Sequence, residues 1–118
     1  MTRDMDLVRA ILLKMEAGPL TIANHRYLHI VDFPDQQVQH NFWILKDAGF
    51  IVQTQVHSGH YRLSWQGHEF LDNIRDDDVW NKTKDGAKRV GGFSLELIAD
   101  LAKGLLKKKI SEHTGVEL

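Results

Sequence analysis

The chain has 118 residues and a mass of 13.6 kDa, which suits one domain with a helical appendage. With 42% apolar and 26% charged residues and only two prolines it has the composition of a globular chain, and extensive disorder is excluded. The absence of cysteine excludes a disulfide framework, thiol catalysis and every thiolate metal site. A net charge of −1 hides a gradient. Residues 1–49 carry five Lys/Arg against six Asp/Glu, residues 50–78 two against five, and residues 79–118 eight against five, so basic character is confined to the C-terminal third. No apolar run approaches the ~18–20 residues of a membrane span, and Met1–Asp6 is charged with no signal segment behind it. The protein is therefore expected in the cytoplasm, with no membrane partner.

From Asp4 to Ala17 the residues Met5, Val8, Ile11, Leu12 and Met15 recur three and four positions apart, the period of an amphipathic helix. Thr2 or Asp4 can cap its start, and Gly18-Pro19 ends it. Thr21–Ala23 and Tyr27–Val31 mix β-branched and aromatic residues without a helical period, which predicts a short strand or extended segment over 20–33. Pro34 disfavours helix at Phe33. Asp35 is then the expected N-cap of a helix to Ala48, with Gly49 just past its end. Its buried stripe is Val38, Phe42 and Leu45, flanked by Asn41 and Ala48, and its opposite face is Gln36, His40, Trp43 and Asp47, flanked by Gln39 and Lys46. A tryptophan among polar residues on an outward face is unusual.

Residues 50–65 read as a hairpin closed by a two-residue turn at Ser58-Gly59. That turn would set His57 against His60, Val56 against Tyr61, Gln55 against Arg62, Thr54 against Leu63 and Val52 against Trp65, leaving one apolar and one polar side. Gln66–Asp77 then predicts a helix burying Phe70, Leu71 and Ile74, with Asp76–Asp78 punctuating it before another helix from Val79 to Val90. Gly91-Gly92 breaks the chain. Ser94 caps a last helix with Leu97, Ile98, Leu101 and Leu105 inward, and Lys103 and Lys107–Lys109 crowd its C-terminal end, where cations complement the dipole. Residues 111–118 resemble a frayed tail.

This order predicts an α+β fold: a winged-helix (helix-turn-helix-like) core over 1–65 with its wing hairpin at 50–65, and C-terminal helices over 66–110 packed on it. The helix usual between the first and the recognition helix is not visible. For the helix from Asp35 the outward residues have two readings. They are either a groove- or partner-facing surface, or the seat on which the C-terminal helices dock. The candidate DNA- or partner-binding residues are Gln36, Gln39, His40, Trp43, Lys46 and, on the wing, His57, His60 and Arg62.

Other chemistries find less support. His57 and His60 could share a metal across a tight turn, but a third ligand is not evident. His68-Glu69-Phe70-Leu71-Asp72 starts like a zinc-protease helix yet has Asp72 where the second histidine belongs, and a His68–Asp72 surface pair is the plainer expectation. Asp76–Asp78 could hold a divalent cation, but consecutive acids suit a helix junction and cap better. No catalytic residue, metal, cofactor or small-molecule substrate is expected.

At RDMDLVRAIL (Arg3–Leu12), VQHNFWILKDAGFI (Val38–Ile51) and above all LSWQGHEFLDNIRDDDVWNKTK (Leu63–Lys84) the chain resembles a bacterial and prophage-borne family, domain of unknown function 2513. The resemblance covers about residues 3–106. It matches at His40, Leu45, Gly49, Trp65, Gly67, His68, Phe70, Leu71, Asp72, Ile74, Arg75, Asp76, Asp77, Trp80 and Lys82, and departs at Trp43, where a small aliphatic residue is usual. It implies a winged-helix-like fold and no established activity, and it places Gly67, His68, Asp72, Arg75 and Trp80 at a structural junction. The expected function is a non-enzymatic, DNA-binding regulator of phage or prophage type. The alternative is a winged helix that holds a protein partner or a second copy of itself, for which an exposed Trp is a good anchor and near-neutral charge a good match.

Overall fold

The computed structural model describes residues 3–19, 28–54, 60–91 and 94–116. The fold is α+β, with helices α1 (Met5–Ala17) and α2 (Asp35–Asp47), strands β1 (Ile51–Gln53) and β2 (Tyr61–Leu63), and helices α3 (Trp65–Ile74), α4 (Asp77–Val90) and α5 (Leu95–Thr114). The chain divides into two compact units, Met1–Leu71 and Asp72–Leu118. None of the helices is long and apolar enough to cross a membrane, among the described residues.

In the first unit α1 begins as its sequence predicts. The Asp4 carboxylate accepts from the Leu7 N–H, and Met5, Val8, Ile11, Leu12 and Met15 are all buried, as is Leu7, which lies outside the expected stripe. Asn41, fully enclosed, ties α1 to α2: its amide donates to the Gln37 carbonyl and its Oδ1 accepts from the Asp4 N–H. Every hydrogen-bonding partner it uses is a backbone group, so the amide satisfies an interior that would otherwise charge for burying it.

Residues 28–33 form no strand, and the first part of the expected extended segment, 20–27, lies outside the described residues. Leu28 is buried, and the chain turns at Val31–Phe33 with Asp32 at a positive φ of 74°. Asp35 is not the N-cap of α2. Pro34 occupies that place and makes no side-chain cap bond, while the Asp35 carboxylate sits 3.1 Å from His29 Nδ1. A proline in the extended region before the helix sets its start by backbone geometry, which frees the acid for the histidine.

The end of α2 is a Schellman motif. Phe50 N–H donates to Leu45 O and Gly49 N–H to Lys46 O, with Gly49 at φ +82°. From there the chain enters β1, which pairs antiparallel with β2 in the register Ile51↔Leu63, Val52↔Arg62, Gln53↔Tyr61. This is not the register expected of a two-residue turn at Ser58-Gly59, which would have set Val52 against Trp65 and Thr54 against Leu63; the turn itself lies outside the described residues. Thr54 N–H instead donates to the His60 carbonyl, and the connection runs through 55–59, outside the described residues.

The reason lies at Ser64. Its hydroxyl donates to the Gly49 carbonyl and accepts from the Gly67 N–H, which makes it the N-cap of α3 and takes Trp65 out of the strand. With 64 fixed as a cap, Ile51 and Leu63 become the inward pair, both buried. Trp65, expected to close the apolar side of the hairpin, opens a helix and is 74% exposed. Gly67 packs so tightly on the carbonyl oxygen of Phe50 that a Cβ there would overlap it, and Phe50 stacks on Phe70 at 4.8 Å.

In the second unit Asp76 caps α4 through the Val79 N–H, and Gly91 ends that helix in the left-handed conformation. Ser94 caps α5 through the Leu97 N–H. The last helix outruns its expected end: it continues to Thr114 and stops at Gly115, so residues 111–114 are helical and Lys107–Lys109 lie within the helix, not at its terminus. Ile98 and Ala102 are its buried residues, while Leu97, Leu101 and Leu105 are partly covered.

Candidate functional site

The outward face of α2 is as the helical period predicts. Gln36, Lys46 and Asp47 are exposed, Gln39 and His40 partly covered, and Trp43 is 50% exposed. The packing beneath this face joins it to the hairpin. Phe42, buried, meets Tyr61 edge-on at 5.4 Å and 86°, and Lys46 Nζ lies 5.3 Å from the centre of the same Tyr61 ring. The cation and the ring quadrupole attract, so the C-terminal turn of α2 and strand β2 form one continuous wall.

The other proposed wing residues divide. His60 is exposed at the start of the second arm, and His57 lies outside the described residues. Arg62 follows Tyr61, and alternation along a strand places it on the opposite side of the sheet from the Lys46 contact. Its Nη1 donates to the Leu63 carbonyl at 3.1 Å. Alternation along β2 thus sets Arg62 apart from the Lys46–Tyr61 contact on the α2 face.

Along β2, with Tyr61, Arg62 and Leu63 all on its lining, there is a cleft of about 410 Å³. One bank is the end of α1, Met15 and Glu16 with Gly18-Pro19, and the other is β2 with Trp65 and His68 from α3. His68 Nδ1 stands 3.7 Å from Glu16 Oε2. The expected His68–Asp72 pair is not formed, because Asp72 receives Arg75 at 2.8 Å, three residues along the chain. The cleft is hidden from the sequence by the expected pairing of Trp65 with Val52 in the hairpin, whereas Trp65 opens α3. The signal that could have found it is the Ser64 cap followed by the period of Phe70, Leu71 and Ile74.

The acidic run of the second unit has structural duties. Asp76 accepts from the Val79 N–H and from Lys109 Nζ, whose two contacts with the carboxylate are 2.8 and 2.9 Å. The hydrogen bond from Lys109, then that from Val79, holds the Asp76 carboxyl below its ordinary value, and Asp76 in turn raises Lys109. Asp78 pairs with Lys82 at 3.3 Å. Beside these residues α4 and α5 border a second cleft of about 300 Å³ with Lys108, Glu112 and His113. No group of three or more His, Asp or Glu side chains converges as a metal site would require, among the described residues.

Comparison with known proteins gives a family and no activity. The family model described as "Hypothetical protein (DUF2513)" matches residues 2–94. An "Uncharacterized protein" of Haemophilus influenzae is 35% identical over 118 residues, spanning 95% of this chain and 98% of its own length. No solved structure matches.

Proposed function

This chain belongs to the DUF2513 family, and we propose that its first unit is a winged-helix domain that binds duplex DNA as a prophage-type regulator, with α2 as recognition helix and β1–β2 as wing. The observation that carries the reading is the Lys46–Tyr61 contact, which makes the exposed face of α2 continuous with the hairpin strand. A recognition helix needs short polar and cationic side chains toward the groove and a flanking element against the backbone. Gln36 and Gln39 can pair with adenine edges, Lys46 with guanine or phosphate, and His60 lies at the base of the wing. The reading is non-enzymatic.

Electrostatics limits the strength of such binding. Residues 1–71 contain six Lys/Arg against seven Asp/Glu, so few phosphates can be neutralised. Binding to a labelled generic duplex should be measurable near 50 mM salt and largely lost near 200 mM, and Trp43→Ala with Lys46→Ala should weaken it at every salt concentration. A folded double mutant that binds as tightly as the parent rules out this face.

A second reading is favoured by Trp43. A half-exposed indole on a helix face with one Lys and one adjacent Asp is better suited to a protein partner or a second copy of the chain than to a polyanion. No duplex binding at the lowest salt, together with a concentration-dependent mass in sedimentation that Trp43→Ala abolishes, would select it.

A further inference from the structure

We propose that the cleft between the end of α1 and strand β2 is a binding site for a small planar aromatic monocarboxylate. Its volume of about 410 Å³ falls within the roughly 300–1,000 Å³ of small-molecule pockets, and its lining has the required composition, mostly apolar with a few charged groups. Met15 and Leu63 supply the apolar surface, and the methionine adapts its shape to what it covers. Tyr61 and Trp65 supply the aromatic one. Trp65 is 74% exposed, a large π-surface left in water beside a concave site, and covering it with a flat ring would recover both burial and stacking.

The charges choose the ligand's polar end. Arg62 has no acidic partner among the described residues, and its bond to the Leu63 carbonyl uses a single N–H of the five on its guanidinium. The remaining fork matches a carboxylate. Glu16 and His68, 3.7 Å apart, lie on the same cleft. With one guanidinium and one carboxylate on its lining, the cleft suits a monoanion better than a phosphate dianion. The proposal does not depend on DNA binding, and its test uses no DNA.

The test is titration of the full-length protein with naphthalene-2-carboxylate and, separately, with neutral 2-naphthalenemethanol, following the indole N–H signals of the tryptophans by two-dimensional NMR. Trp65→Phe and Trp43→Phe assign the signals. The expected result is a saturable shift of the Trp65 signal, with the carboxylate bound at least about tenfold more tightly than the alcohol. Arg62→Gln, at an exposed position, should bring the two affinities together, and Trp65→Ala should weaken both. Absence of a saturable shift, equal binding of acid and alcohol by the parent, or unchanged acid binding by folded Arg62→Gln would each overturn the proposal.

Discussion

The first unit buries Leu7, Ile11, Leu12, Phe42, Leu45 and Ile51 to 1% exposure or less, from two helices and a strand that are distant in sequence. Helices α4 and α5 hold buried Val79, Trp80 and Ile98 beside the small side chains Thr83, Ala87 and Ala102, and a Cβ at Gly86 would just touch Leu101. They are also joined by a charged clamp, Lys109 on Asp76. Both regions rest on buried apolar side chains, and the second adds small residues between its helices and a charged clamp. The same solution change should therefore reach them differently.

The largest effect should come from emptying the first core. Phe42→Ala removes a ring in contact with Tyr61 and should cost about 3–5 kcal/mol in urea unfolding, with little dependence on ionic strength. A cost below about 1 kcal/mol would show that this interior collapses easily and that the contrast is false. Next, Gly67→Ala should cost about 1–3 kcal/mol although it adds only a methyl group, because its Cβ would strike the Phe50 backbone, which cannot swing away as a side chain would. Comparison with Gly104→Ala sharpens the point, since nothing lies near a Cβ at Gly104 and that helical substitution should be neutral or stabilising.

Acid should act on the second unit. Asp76 has its pKa lowered below 3.8 by Lys109 and the Val79 N–H, so its contribution is complete above the unfolded value and is lost as pH falls through the folded one. Thermal unfolding followed by circular dichroism should weaken below about pH 4 more steeply in the parent than in Asp76→Asn, which keeps a capping oxygen but no charge. Parallel curves would show that the clamp contributes nothing. The smallest effect belongs to the exposed Arg89–Asp85 pair, where Arg89→Ala should change stability by less than about 0.5 kcal/mol and less still at high salt.

The helices were legible because their signals are local. The α1 stripe, the Asp4, Asp76 and Ser94 caps and the glycine stops at Gly49 and Gly91 each depend on residues within a turn or so of one another. The hairpin misled for the opposite reason. Ser58-Gly59 is a good turn pair, and the alternation it produced was self-consistent, yet Ser64 had a competing use as the cap of α3 that no strand pattern reveals. The α2 residues stand where the period places them, and Arg62 keeps the side opposite Tyr61 that alternation gives it; what the register moved is β1, where Val52 now faces with Arg62 and Gln53 with Tyr61.

Local chemistry, in short-range periods and caps, decided where the helices of this chain start, stop and turn their apolar faces. The register Ile51↔Leu63 and the approach of Gly67 to Phe50 belong to the tertiary structure. Each depends on groups far apart in the chain competing for the same backbone carbonyls and the same interior volume, and only the folded arrangement shows which of them succeeds.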